Sequence, residues 1–198
     1  MDWFKSNRKI QALRSIIENK VFGWKTDRKI LVIESDDWGA IRTSNFVAYA
    51  RFKNLGYDME SSCYNLDSLE TNSDLIELYD VLDKFVDHRG RPCCFTANVV
   101  TTNPDFEFIE ENQFEQYSYE SVVDTAYNTE HSDDVVKLWK DGLNSKFFIP
   151  QLHCREHIRY WEWLNDLKLG KVEAIETFRY KMCGLPAATS KYSRSYFR

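Results

Sequence analysis

Residues 29–39 read KILVIESDDWG, an apolar run that closes on two adjacent aspartates, a tryptophan and a glycine. Residues 146–157 show the same pattern, in which the apolar run KFFIPQL is followed by the polar residues HCREH. A short apolar run of this kind is typical of a buried strand. Since α/β proteins build their sites at strand ends, the two stretches together predict one polar site.

The alternation of apolar runs with helical patterns predicts an α/β fold with a mainly parallel sheet. We expect strands at about Lys29–Ser35, Pro92–Val100 and Lys146–Leu152, from the apolar runs that these residues form. Helical patterns lie between and after them, at residues 43–55, 72–88, 133–143 and 156–169. Residues 105–130 show no clean period and predict a functional loop or excursion rather than a simple connector.

The composition predicts a single domain over residues 1–198, of which 43% are hydrophobic and 29% charged. The net charge is −5 and no long basic stretch occurs, which argues against nucleic acid as a partner. No apolar span of 18 residues exists, so no membrane partner or transmembrane helix is expected.

The first 22 residues predict an amphipathic helix and lack the apolar core of a signal peptide. Its apolar stripe consists of Ile10, Leu13, Ile16, Ile17 and Val21. The chain has five cysteines, an odd number, and no C-x-x-C pair. Together with the missing signal, this pattern predicts a reducing, cytoplasmic location.

The polar residues at the two strand ends form a sufficient ligand set for a divalent metal ion. One carboxylate of Asp36 and Asp37 can join His153 and His157 around one cation, and the other can act as a base on bound water. Zinc lowers the pKa of such water to about 7, and cobalt, nickel or iron also suit these ligands. Cys154 lies between the histidines, where we expect a small packing residue rather than a zinc thiolate.

These motifs resemble those of a known enzyme family. Residues 35–39, SDDWG, resemble the Thr-Phe-Asp-Asp-Gly signature of the polysaccharide deacetylases, the NodB-like carbohydrate esterases of family 4. Residues 153–157, HCREH, resemble their His-Ser/Thr-x-x-His signature, and the order along the chain is the same. Residues 95–104 look like the second strand of that family and its exit loop.

The resemblance implies Asp36 as the general base and Asp37 as a metal ligand beside His153 and His157. It implies a hydrolase that removes acetyl groups from N- or O-acetylated saccharides with one divalent metal ion, most readily zinc. The family fold is a distorted (β/α) barrel, usually of seven strands. The likeness covers residues 30–169, which predicts an incomplete, truncated barrel of about three to four βα units. Its exposed sheet edge predicts a homo-oligomer.

The chain also departs from the family pattern. Trp38 stands between the second aspartate and the glycine, and the Arg-x-Pro-aromatic and Leu-x-His signatures have no match. The last of these supplies the family's general acid, and His131 is our candidate replacement. We expect Trp38, Asn98 and Arg155 to contact the substrate, since indole suits the apolar face of a sugar.

Three functions follow from these motifs. The leading one is a metal-dependent deacetylase of acetylated saccharides. The second is a hydrolase of a non-sugar C–N amide bond, which would use the same metal centre. The third is a non-catalytic metal- or sugar-binding fragment of a deacetylase-like domain, which the missing Leu-x-His signature favours and the spare carboxylate opposes.

Overall fold

The computed structural model of the chain describes residues 2–61, 63–129, 134–185 and 196–197. The chain divides into two compact units, residues 1–32 and 33–198. The first unit contains helix α1 (Asp2–Phe22), at the position where the sequence predicts an amphipathic helix. The side chains of its predicted apolar stripe are all more than half exposed. None of the described helices combines the length and apolar character that crossing a bilayer requires.

The second unit mixes strands and helices, which confirms the α/β class. Its described strands are β1 (Glu34–Trp38), β2 (Phe95–Val100), β3 (Thr102–Pro104), β4 (Tyr119–Ser121) and β5 (Phe148–Cys154). Its described helices are α2 (Phe46–Asn54), α3 (Asn72–Asp83), α4 (Phe106–Glu111), α5 (Val122–Asn128), α6 (Val135–Asn144), α7 (Tyr160–Lys168) and α8 (Val172–Arg179), with a 3-10 turn at Cys63–Leu66.

A parallel sheet of three strands organises this unit. Its order is β1-β2-β5, so β2 is central and the described sheet is open at β1 and β5. Strands β3 and β4 form a separate antiparallel pair. One face of the parallel sheet is apolar and packs against α3 and α6 through Phe95, Ala97 and Phe148. Since side chains alternate along a strand, Thr96 and Asn98 belong to the other face.

The first strand lies further along the chain than its apolar run predicts. The prediction of Lys29–Ser35 is wrong, because β1 begins at Glu34 and Ile30 through Ile33 are exposed. Pairing with β2 sets the limits of β1, and its first register partner is Thr96, opposite Glu34. The apolar character of a run does not specify where its backbone finds a partner. The two aspartates therefore belong to the strand itself and not to the loop after it.

Two further predictions need correction. Residues 105–129 form α4, β4 and α5, and Asp105 and Ser121 each cap a helix through a side-chain oxygen. Helix α7 begins at Tyr160 instead of Glu156. Its Trp163 is fully buried, whereas Trp161 is 49% exposed.

A polar contact crosses the packing between α6 and the loop before α3. The indole Nε1 of Trp139 donates a hydrogen bond to Oε1 of Glu70 at 2.6 Å. Burial raises the pKa of Glu70 above its ordinary value, although the bond from Trp139 favours the charged form. The folded protein therefore holds a proton on Glu70 at a pH where the unfolded chain has released it.

We predict that Glu70→Gln raises the free energy of unfolding above that of the wild type by more at pH 7 than at pH 4. The raised pKa means that wild-type stability falls as the pH rises from about 4.3 through the folded pKa of Glu70. Glutamine keeps the acceptor for Trp139 and carries no charge. Urea unfolding of both proteins at the two pH values measures the difference, and exposed Glu77→Gln is the control. An equal stability difference at pH 4 and pH 7 would contradict the prediction.

Candidate metal centre

An irregularity in β1 brings both aspartates to the same end of the sheet. Ser35 pairs with Ala97 and Trp38 pairs with Val99, so Asp36 and Asp37 together face the single residue Asn98. This is the arrangement of a β-bulge, which re-aims the side chains next to it. Asp37 has a φ of 64°, in the left-handed region that aspartate tolerates better than most residues.

The two aspartates have different neighbours as a result. Oδ1 of exposed Asp36 accepts a hydrogen bond from Nδ2 of Asn98 at 2.6 Å. The Asp37 carboxylate is only 19% exposed and lies beside the histidines. Asn98, which the sequence places at the substrate, therefore also holds the predicted base. Its substrate contact stays a prediction.

The histidines come from β5 and the loop that follows it. Their rings are nearly parallel, at an interplanar angle of 9° and a centroid separation of 5.1 Å. Nε2 of His153 lies 3.3 Å from Oδ1 of Asp37, and Nε2 of His157 lies 3.9 Å from the same oxygen. The structure thus brings together the three ligands that the sequence predicts from stretches more than 100 residues apart.

One oxygen of the Asp37 carboxylate lies close to both imidazoles. Oδ1 of Asp37 is buried and has no hydrogen-bond partner among the described residues. Buried polar atoms are nearly always paired, so such an atom calls for a ligand. Tetrahedral zinc ligands lie about 3.3–3.6 Å apart, given zinc bond lengths of about 2.0–2.2 Å. The separation to His153 falls in this range and that to His157 lies slightly above it, so each histidine lies close to the distance at which it could share a cation with Asp37.

A second ligand set shares the two histidines. Ligand atoms of His153, Cys154 and His157 all lie within 4.8 Å of one another. Burial raises the pKa of the Cys154 thiol, and the charges of Asp37 and Glu156 raise it further. A thiol is a good metal ligand only once it is ionised. The raised pKa of the thiol and the position of Oδ1 of Asp37 beside both imidazoles therefore favour the carboxylate as the third ligand.

The side chain of Asn103, in strand β3, stabilises the loop after β1. Asn103 is buried, donates to the carbonyl oxygen of Gly39 at 2.9 Å and accepts from the amide of Ile41 at 3.3 Å. Gly39 has a φ of +85°, and a β-carbon there would lie 2.8 Å from the carbonyl oxygen of Val100 and 2.6 Å from Val122. Only glycine meets both the backbone angle and the space.

The loop between the histidines is held by a second group. Arg155 donates to both carboxylate oxygens of Glu156 at 2.5 Å, and its guanidinium lies 4.7 Å from the ring centroid of Tyr119. Thr102 donates to the carbonyl oxygen of Arg155 at 2.9 Å. The substrate role predicted for Arg155 stays a prediction, and its described contacts fix the loop.

Trp38, which the sequence predicts at the substrate, contacts aromatic side chains of the sheet. Its ring packs on the apolar face of the sheet, 5.2 Å from Phe95 and 6.0 Å from Phe148 between centroids. Trp38 is thus a partly buried residue that packs against the core, and its contact with substrate stays a prediction. His131, the candidate acid, lies outside the described residues.

Sequence reasoning missed Asn103, which contacts Gly39 and Ile41, and Arg42, which contacts Asp37 and is itself paired with Asp67. Arg42 lies only five residues after Asp37, and this nearness is the one signal available. Asp67 and Asn103 reach the loop from distant parts of the chain, and their spacing carries no signal. Comparison with known protein families, with curated proteins and with solved structures found no match.

We predict that Gly39→Ala destabilises the protein by roughly 2–5 kcal/mol, since the left-handed backbone costs alanine about 1–2 kcal/mol and overpacking a further 1–3 kcal/mol. Gly56→Ala is the matched control, because Gly56 has a φ of +81° but open space around its β-carbon position. Gly56→Ala should lose only the stability that the left-handed backbone costs alanine, about 1–2 kcal/mol. Equal losses in urea unfolding would show that the contacts with Val100 and Val122 do not matter.

We also predict that the protein binds one Zn²⁺ or Co²⁺ ion and that Asp37→Asn weakens binding by more than about 100-fold, beyond what outer-shell changes cost. Cys154→Ser should bind the ion as the wild type does. Calorimetric titration of the metal-free proteins measures both affinities. The opposite pattern, with loss in Cys154→Ser and retention in Asp37→Asn, would assign the ion to the His153, Cys154 and His157 set.

Proposed function

We propose that the protein is a metal-dependent hydrolase that removes acetyl groups from an N- or O-acetylated saccharide. The observation that carries this proposal is the buried Oδ1 of Asp37, which accepts no hydrogen bond from the residues that the structure describes and lies 3.3 Å and 3.9 Å from Nε2 of His153 and His157. These three residues would hold the ion, and a second carboxylate, Asp36, precedes Asp37 in the chain. When bound, a zinc ion would make a water molecule acidic and polarise the carbonyl of the acetyl group.

Asp36 is suited to proton transfer. Asn98 holds its Oδ1, so the carboxylate has a defined orientation and its second oxygen can accept a proton from water. Because Asp36 is exposed, solvent and substrate can reach it. The proton that it takes from water can then pass to the oxygen or nitrogen that leaves the acetyl group. One carboxyl group would thus act first as a base and then as an acid.

The surroundings of Asp36 support a hydroxyl-rich substrate. Asp36, Thr96 and Asn98 lie near one another on the sheet face away from α3 and α6, where they offer donors and acceptors. Such groups pair with sugar hydroxyls. The choice of an acetylated saccharide over another amide comes from the SDDWG and HCREH motifs, which resemble the polysaccharide deacetylases. The experiment below compares both kinds of substrate.

We further propose that the three parallel strands are the first part of a distorted (β/α) barrel. Strands β1, β2 and β5 follow one another in space in their chain order, as the first strands of such a barrel would. The location that we propose is the cytoplasm. In support, Cys93, Cys94, Cys154 and Cys183 carry free thiols, in keeping with a reducing compartment.

The test is acetate release from an N-acetylated chitooligosaccharide and from acetylated xylan, with the zinc-loaded protein. We expect release from at least one of them. Asp36→Asn should bind zinc with wild-type affinity and lose about 10²–10⁴-fold in kcat, the usual contribution of a general base. The matched control is exposed Glu77→Gln, far from the strand ends, which should keep both metal and activity.

Two outcomes would contradict this function. A protein that binds zinc but releases no acetate from either saccharide, and hydrolyses a small N-acetyl amide, would be an amidase of a non-sugar substrate. A protein that binds zinc and hydrolyses none of the three would be a non-catalytic module. Loss of zinc from Asp36→Asn would move Asp36 from base to ligand.

A further inference from the structure

We propose that Arg42 is a positioning residue for the candidate metal ligand Asp37 and that Asp67 holds Arg42 in place. This inference rests on the proposed metal centre, but it does not depend on the reaction or the substrate. Neither residue belongs to the SDDWG or HCREH motif. Both reach the centre only through the folded structure.

The contacts form a chain from one carboxylate to the other. Nη2 of Arg42 donates to Oδ2 of Asp37 at 2.6 Å, and Nε of Arg42 lies 3.3 Å from Oδ2 of Asp67. The Arg42 side chain is 7% exposed, and its guanidinium lies 5.2 Å from the ring centroid of Phe197. The buried guanidinium thus lies as a rigid fork between two carboxylates, with a hydrogen bond to Asp37 and an ion-pair contact with Asp67.

The contact with Arg42 gives the two oxygens of the Asp37 carboxylate different roles. Oδ2 is engaged by Arg42, so Oδ1 alone faces the two imidazoles. An ion at this point would receive one oxygen and two nitrogens from the protein, which leaves positions open for water and substrate. Without Arg42 the carboxylate could rotate and offer both oxygens. Partners behind a ligand commonly set its orientation in this way.

The second carboxylate makes this arrangement compatible with a cation. A lone guanidinium beside a ligand would repel a divalent ion, and Asp67 offsets that charge. The backbone fixes the same pair, because the amides of Arg42 and Thr43 both donate to the carbonyl oxygen of Asp67, at 3.0 Å and 2.9 Å. The side chain of Arg42 is therefore held from both ends.

The experiment compares Co²⁺ binding by the full chain and its variants Arg42→Lys, Arg42→Met and Asp67→Asn. The visible spectrum of bound Co²⁺ reports the number and arrangement of its ligands. We expect Arg42→Met to bind Co²⁺ about 10–100-fold more weakly and with a changed spectrum. Arg42→Lys keeps the charge but not the fork, so it should show the same spectral change and a smaller loss of affinity. Asp67→Asn should lose less affinity than Arg42→Met.

The control is Lys171→Met, which removes the cation from another buried carboxylate, since Lys171 Nζ lies 2.7 Å from Asp166. It should change stability without changing the affinity or spectrum of Co²⁺. This comparison separates positioning from a general loss of stability. If Arg42→Met does not fold, Arg42→Lys and Asp67→Asn decide the outcome by the same spectrum.

Three results would overturn the proposal. A wild-type affinity and spectrum in Arg42→Met or Arg42→Lys would show that the fork does not orient Asp37. Tighter binding by Arg42→Met would show that the guanidinium acts only as a repelling charge. If the wild type binds neither Co²⁺ nor Zn²⁺, both this proposal and the metal centre are wrong. Metal binding without acetate release would contradict only the proposed reaction.

Discussion

The structure depends on one constraint: two adjacent residues of one strand, Asp36 and Asp37, must both place their side chains at the same candidate site. A regular strand sends consecutive side chains to opposite faces of the sheet. The bulge in β1 and the left-handed backbone of Asp37 remove this limit, because Asp36 then meets Asn98 while Asp37 turns toward the histidines. Such backbone geometry is costly unless its surroundings enforce it. Gly39 and the amide of Asn103 supply that enforcement.

The charges around the bulge support the proposed cation. Two carboxylates, those of Asp37 and Asp67, contact the single guanidinium of Arg42, and exposed Asp36 is hydrogen-bonded to Asn98. A partly buried group with excess negative charge is unfavourable unless a positive charge joins it. Two imidazole nitrogens lie near the same oxygen of Asp37, so the proposed partner is a divalent ion. Such an ion would couple the stability of the loop to the affinity for the metal.

The sequence allowed the α/β class and the nearness of Asp37, His153 and His157 to be predicted, although both Asp37 and His153 lie within strands and not after them. Other features depend on contacts that no local pattern records. The bulge follows from pairing with β2, and the apolar run before β1 gave no indication of it. Trp38 lies in a motif but packs, partly buried, against the core on the covered face of the sheet. Arg42 and Asp67 form an ion pair that only folding creates.

The segment that the sequence marks as irregular, residues 105–130, has a bearing on how this protein can evolve. Its strand β4 pairs with β3, and β3 carries Asn103, which braces the backbone after the aspartates. An insertion or deletion that shifts β4 would disturb its pairing with β3 and with it the bond from Asn103 to Gly39. Residues 105–130 contribute no predicted ligand, yet their length is restricted because β4 pairs with the strand that carries Asn103. We therefore expect related sequences to vary more freely in composition than in length in this segment.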